Sequence, residues 1–303
     1  MKTNYLLLLA LLTCVACHPP TPSPERLETI PYISDTDQSE RNYYLYIPKG
    51  YDSEDKDWPV ILFLHGNGER GNGQEELAYT MAHGPIYEAW VQRRDLPFLM
   101  IMPQLHMFGL DTLGIPYLQN RDLNKAPKRL KSGTPQREAF FTTHSPMNGQ
   151  VANDSFPYQQ YGPMRGWEMV EKDLLHMIAQ VKDEYRVDES KIYLSGLSYG
   201  GFGTWYMGSK HPDLFAAIHP VVGWGHPDLM PSLAHHQTPI WCFAGGRDEV
   251  IKVEYFYPGM NALDSLGHRQ FKFTTEEDLG HDTWKRVYAG EDIYNWMLSQ
   301  SKQ

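Results

Sequence analysis

Cysteine is scarce. The 303-residue chain has three, at positions 14, 17 and 242, so beyond the N-terminal segment only Cys242 remains and no internal disulfide can form there. Cys242 sits in the apolar run 239–244 and is expected to be buried and inert. Long apolar stretches are missing as well: the run Leu6–Ala16 is too short to cross a bilayer as a mature helix. Preceded by the single positive Lys2, it suits the hydrophobic part of an export signal. Positive charge is in deficit, 27 Lys and Arg against 37 Asp and Glu for a formal net charge of −10. That balance repels a phosphate backbone and argues against nucleic acid as a partner. No internal repeat is visible, which leaves out solenoids and propellers. With 41% hydrophobic residues the chain can bury a large core, so one folded globular domain is the simplest expectation.

Residues 1–16 are expected to be a signal peptide and 17–39 a tether, since His18 to Pro24 is a Pro/Ser/Thr stretch that cannot continue a helix. Small Ala16 before Cys17 resembles a bacterial lipoprotein cleavage site, whose cysteine becomes the lipidated first residue. Cys14, after Leu11-Leu12-Thr13, is the competing site, and an ordinary signal peptide cut nearby is the other alternative. The expected location is the cell envelope by a lipid anchor on Cys17, or otherwise secretion.

From residue 40 onward the pattern alternates. Arg41 to Pro48 reads as a strand, and Val60 to Leu64 is a continuous β-prone run that suits a central parallel strand. Phe98 to Met102 is a short strand, and Trp167 to Tyr185 has helical spacing. Strand Lys191 to Leu194, helix Tyr199 to Lys210, strands Phe215 to Val222 and Ile240 to Ala244, helix Phe256 to Leu266, strand Phe271 to Thr275 and helix Asp282 to Leu298 complete the alternation. The fold class is α/β, a mainly parallel sheet with helices on both faces.

Chemistry concentrates at loops that follow strands. Gly196-Leu197-Ser198-Tyr199-Gly200-Gly201 lies between a strand and a helix, the context of a nucleophile elbow that lifts a serine hydroxyl above the sheet edge. Serine needs a base, and the base needs a carboxylate to orient it. His281, in Leu279-Gly280-His281-Asp282, follows the strand 271–275. Asp248, Glu249 and Glu254 all follow the strand 240–244, and Asp248 is chosen because it is nearest the strand end, after two glycines. Oxyanion donors are expected from the backbone N–H of Tyr199 and from the loop His65-Gly66-Asn67-Gly68, with Asn67 preferred and Gly68 next. His65 is expected to shape that loop and not to act as the base.

These motifs, together with Phe63 to Gly71, Gly246-Arg247-Asp248 and Gly280 to Trp284, resemble the α/β-hydrolase fold family. More narrowly they are similar to secreted bacterial carboxylesterases often described as predicted peptidases, relatives of polyhydroxybutyrate depolymerases and feruloyl esterases. The resemblance covers about residues 40–103 and 167–300. It implies that 40–303 is an α/β-hydrolase catalytic domain cleaving small-molecule or polysaccharide esters through an acyl-serine, with no metal or organic cofactor.

Two other readings use the same residues differently. One is a serine peptidase of the prolyl oligopeptidase type, although no propeller precedes the domain. The other is a non-catalytic surface lipoprotein that binds glycans through Trp205, Trp224, Trp284 and the loop aromatics. A metal-dependent hydrolase is disfavoured, since His235-His236 is the only adjacent histidine pair and no HExxH occurs. Residues 104–166 have no clear period and form an insertion, expected to be a lid or binding loop. Phe140, Phe141, Phe156, Tyr158 and Tyr161 are candidate stacking residues there, and Lys125, Lys128, Arg129 and Lys131 a basic cluster. The expectation is a segment that covers the site and selects a bulky saccharide ester, an acidic one if the basic cluster takes part.

Overall fold

The computed structural model describes residues 21–131 and 151–302. The expected signal peptide 1–16, Cys14, Cys17, Phe140 and Phe141 lie outside the described residues. One eight-stranded sheet organises the rest: β1 Arg26–Ile33, β2 Glu40–Ile47, β3 Trp58–Leu64, β4 Leu99–Met102, β5 Val187–Leu197, β6 Ala217–Val221, β7 Ile240–Gly245 and β8 Phe271–Glu276. The spatial order is β1-β2-β4-β3-β5-β6-β7-β8. β1 with β2 and β2 with β4 are antiparallel, and all neighbours from β4 to β8 are parallel. The chain is a mainly parallel α/β protein.

Every residue of β3 is buried, the signature of a strand covered on both faces. Its side chains alternate between two cores. Val60, Leu62 and Leu64 join Trp167, Leu174, Ile178, Trp205 and Met260, under the helices Glu171–Glu184, Tyr199–Lys210, Met230–His236 and Tyr257–Ser265. Ile61 and Phe63 join Ile86, Phe98, Val287, Ile293 and Met297 on the opposite face. Cys242 is free and fully buried in the first core, and burial raises its thiol pKa well above the ordinary value.

Three expectations need correction. Residues 26–33, expected within the tether 17–39, form β1, which pairs with β2 from Arg26↔Ile47 to Ile33↔Glu40. An edge strand is only half covered, so its alternation is weak, and Pro31 is tolerated there because one row of N–H groups has no ladder to join. The helix expected over 282–298 is two, Trp284–Ala289 and Asp292–Leu298, interrupted where Gly290 is extended. The helix Met230–His236 has no counterpart in the expectation; at seven residues with Pro231 in its first turn it is too short to display a period.

Candidate active site

β5 ends at Leu197 and the next helix begins at Tyr199, so the turn between them is Ser198 alone. Its backbone sits at φ 52°, ψ −116°, a region that costs a non-glycine residue on the order of 1 kcal/mol or more. The flanking glycines are fixed by contact. A Cβ on Gly200 would lie 1.8 Å from the Leu64 carbonyl oxygen, and one on Gly196 would lie 2.3 Å from that of Gly200. The G-x-S-x-G pattern is therefore what lets β5, β3 and the helix meet.

The turn aims Ser198 at His281. The Ser198 Oγ lies 3.0 Å from His281 Nε2, and His281 Nδ1 lies 2.8 Å from Asp248 Oδ2. The Asp248 side chain is fully buried, and its other oxygen accepts the Val250 and Ile251 N–H groups at 2.8 Å each. Both carboxylate oxygens are thus held, which fixes the plane presented to the imidazole. Glu249 is exposed, and Glu254 accepts from Asn153 at 2.9 Å. Of the three carboxylates after β7, Asp248 is the one joined to His281.

Ser198 and His281 open onto a cavity of about 340 Å³ whose wall includes Asn67, Gly68 and Tyr199. Tyr199 is the first residue of its helix and Asn67 opens the 3₁₀ turn Asn67–Glu69. The first N–H groups of such turns have no intrahelical acceptor. His65 is spent on the loop: its Nδ1 donates to the Gly66 carbonyl at 2.6 Å and its Nε2 accepts the Leu105 N–H at 2.9 Å. Burial pushes its pKa down to about 3, so the ring is neutral.

Arg70 and Glu69 stand in the quoted loop motif, yet the sequence reading gave them no role. The buried Arg70 guanidinium donates to Asn67 Oδ1, to the His106 carbonyl at 2.7 Å and to the Arg165 carbonyl at 2.6 Å. It also lies over the Tyr199 ring, 4.8 Å from the centroid. One cation thereby ties the 67–70 loop to both described ends of the insertion. Burial lowers its pKa only to about 10, so it stays charged. Glu69 lines the cavity, and burial lifts its carboxyl to about 7. Its Oε2 has no hydrogen-bond partner among the described residues.

The insertion contributes walls. Tyr117, Tyr158 and Pro163 line the cavity, whereas Phe156 stacks on Trp224 at 4.7 Å and Tyr161 packs against Tyr206 and His226. Trp205 and Trp224 are completely buried, so neither presents a face to a glycan, which corrects that part of the glycan-binding alternative; Trp284 lines the cavity with the loop residues Tyr117 and Tyr158. Of the basic cluster, Arg129 pairs with Glu25 and covers the Trp90 ring, while Lys125, Lys128 and Lys131 are exposed. His236 bonds back to the Ser232 carbonyl at 2.9 Å, and among the described residues no group of three or more His, Cys, Asp or Glu is placed to hold a metal ion.

Comparison with known proteins bears on the fold. The prolyl oligopeptidase family matches residues 164–230, a stretch that contains Ser198 but ends before Asp248 and His281. A bifunctional acetylxylan esterase/xylanase of Neocallimastix patriciarum is 34% identical over 121 residues, 40% of this chain and 17% of that protein. A poly(3-hydroxyalkanoate) depolymerase C of Paucimonas lemoignei is 29% identical over 76 residues, 25% of this chain and 18% of that protein. The chain therefore matches less than a fifth of the length of these two relatives. Among solved structures, a thermostable esterase superposes with a TM-score of 0.58 at 23% identity, over 91% of this chain and 63% of that one. S-formylglutathione hydrolase from Staphylococcus aureus superposes with a TM-score of 0.57 at 13% identity, over 92% and 99%. With the parallel strands from β4 to β8, the one-residue turn at Ser198 and superpositions spanning nearly the whole described chain, this protein has the α/β-hydrolase fold.

Proposed function

We propose that this chain is a serine hydrolase that cleaves carboxylic esters, carbohydrate-linked esters included, through an acyl-serine intermediate. The observation that carries the reading is the continuous hydrogen-bonded line from Ser198 Oγ through His281 to the buried Asp248. In this mechanism His281 Nε2 takes the Ser198 proton as Oγ attacks the ester carbonyl carbon, while Asp248 holds Nδ1–H and balances the imidazolium. The oxyanion accepts from the N–H of Tyr199 and from that of Asn67, or of Gly68 next to it. The intermediate collapses as His281 protonates the departing alcohol. Water, activated by the same histidine, then frees the acid and restores Ser198.

Carbohydrate esters are supported by the aromatic cavity wall of Tyr117, Tyr158 and Trp284 and by the similarity to an acetylxylan esterase/xylanase. A second reading, peptide-bond cleavage, is favoured by the prolyl oligopeptidase match over 164–230, and the same residues would serve it. A serine-directed fluorophosphonate should label Ser198, and acetylated xylan, feruloyl esters and short peptides presented in parallel should yield turnover on the esters. Turnover on peptides alone would replace the ester reading. Asp248→Asn should slow turnover about 10³-fold or more, and Glu249→Gln less than about twofold. The reverse order would move the acid to Glu249.

The proposal extends to the cell envelope, with lipidation at Cys17. It rests on the Leu6–Ala16 run and the small Ala16 before Cys17. No helix among the described residues is long and apolar enough to cross a membrane. Cys17→Ala should release the protein from the membrane fraction; unchanged partition would remove the anchor.

A further inference from the structure

Beside the catalytic cavity lies a second cleft of about 620 Å³, whose lining includes Lys125, Lys128, Lys285, His83, Tyr87 and Trp284. Trp284 belongs to both cavities. Its ring meets the His281 ring edge-on at 5.1 Å and lies 5.4 Å from that of His83. One indole therefore stands between the reacting histidine and the cleft.

The cleft carries net positive charge. Lys285 is balanced by Asp282 at 2.9 Å, and Glu88, which also lines the cleft, faces the Arg94 guanidinium at 3.3 Å. Lys125 and Lys128 are exposed and pair with no acid among the described residues. Two cations without an acid partner among the described residues thus stand in one concavity of a chain whose formal net charge is −10. The volume falls within the ordinary range of ligand pockets. Lysine suits an anion held without fixed geometry, because its charge is compact and its stem adjusts. An aromatic wall suits the C–H face of a pyranose, and the combination excludes a purely apolar acyl chain as the preferred occupant.

We propose that this cleft is a subsite for a carboxylate-bearing sugar, a uronic acid on the same glycan whose ester is presented to Ser198. The carboxylate lies between Lys125 and Lys128, and the sugar chain crosses Trp284. This rests on the esterase reading for its link to turnover, but the subsite can be measured apart from it. Ser198→Ala protein should be titrated calorimetrically with two non-ester xylo-oligosaccharides of equal length, one neutral and one bearing a single uronic acid. The acidic ligand should bind about fivefold tighter or more, and the preference should shrink between about 20 and about 300 mM salt. It should vanish in Lys125→Ala/Lys128→Ala on the same background, with folding checked by circular dichroism. In the otherwise wild-type enzyme that double substitution should lower the ratio of kcat/KM on acidic over neutral acetylated oligosaccharides by a similar factor. Equal binding of the two ligands, a preference that survives loss of both lysines, or tighter binding of a sulfated analogue than of the uronic acid would each overturn the proposal. Acidic-ligand preference in a protein that turns over no ester would sink the esterase reading and leave the anion subsite standing. Turnover of neutral esters with no ligand preference would do the opposite.

Discussion

At the scale of single residues, the proposed site sets function against stability. Ser198 occupies φ 52°, ψ −116°, where glycine is at ease and any side chain is strained. Ser198→Ala should lose about 10⁴-fold or more in turnover with the fold intact. Ser198→Gly should lose as much, yet unfold at a higher temperature than Ser198→Ala, because it relieves roughly 1 kcal/mol of backbone strain. Equal melting temperatures would show that the turn stores no such strain. Glu69 is the other residue whose position has a cost. Its folded pKa is raised to about 7 from 4.5 by burial, so its favourable contribution is complete below the unfolded value and is lost as pH rises through about 7. Glu69→Gln, which keeps the neutral shape, should therefore raise the melting temperature more at about pH 8 than at about pH 5. The opposite trend would mean that the carboxylate is stabilised by a partner on ionising.

Elements carry more than their ladders. β1 delivers Ser34 and Asp35 to the helix Glu171–Glu184, where the Ser34 hydroxyl and the Asp35 N–H each donate to the buried Asp173 carboxylate at 2.6 Å. Without them the partner left to Asp173 among the described residues is His106, whose Nε2 is 3.8 Å away. A chain beginning at Thr36 should be less stable than one beginning at Thr21 by at least about 3 kcal/mol, since a buried carboxylate is left short of donors. Coincident thermal melts of the two would show that β1 is dispensable. The insertion is likewise structural as well as a wall of the cavity: replacing 104–166 by a Gly/Ser connection would strip Arg70 of the His106 and Arg165 carbonyls. Substituting Tyr117 or Tyr158 singly tests recognition without that damage.

Across the whole molecule, two cores grip one sheet, and both have taken in histidines that cannot charge. His65 and His219 are buried, and desolvation lowers each to about 3. Between about pH 3 and about pH 6.5 the unfolded chain binds protons on these two groups that the folded chain refuses, so stability rises with pH through that window. His83, lowered to about 4 by burial, and His268, also lowered, act in the same direction, whereas the carboxyls of Glu69, Glu168 and Glu276, all raised by burial, oppose them above pH 4.5. Four imidazoles against three carboxyls leave the net sign positive, and the melting temperature should climb from about pH 4 to about pH 6.5. In His219→Phe the climb should be shallower. An unchanged slope would place the acid sensitivity elsewhere.

Much of this protein is written locally. The apolar run of β3 and the strand-turn-helix around Ser198 are short-range patterns, and a parallel strand buried on both faces cannot look like anything polar. The chain order of Ser198, Asp248 and His281 was also open to reading, because each follows a strand whose C-terminal end must lie on one edge of a parallel sheet. What the sequence did not show lacks a local period: β1 at the edge, the break at Gly290, and the helix Met230–His236. Nor could it separate Asp248 from Glu249 by more than proximity, since only the fold buries Asp248 and supplies the Val250 and Ile251 N–H groups. The role of Arg70 depends on carbonyls 36 and 95 residues away, and the cleft beside Trp284 joins residues from both halves of the chain. Backbone pattern and the succession of elements along the chain are encoded by neighbours a few residues apart, whereas the spatial order of the strands, burial, partners and cavity walls come from segments that meet only once the sheet has closed over its two cores.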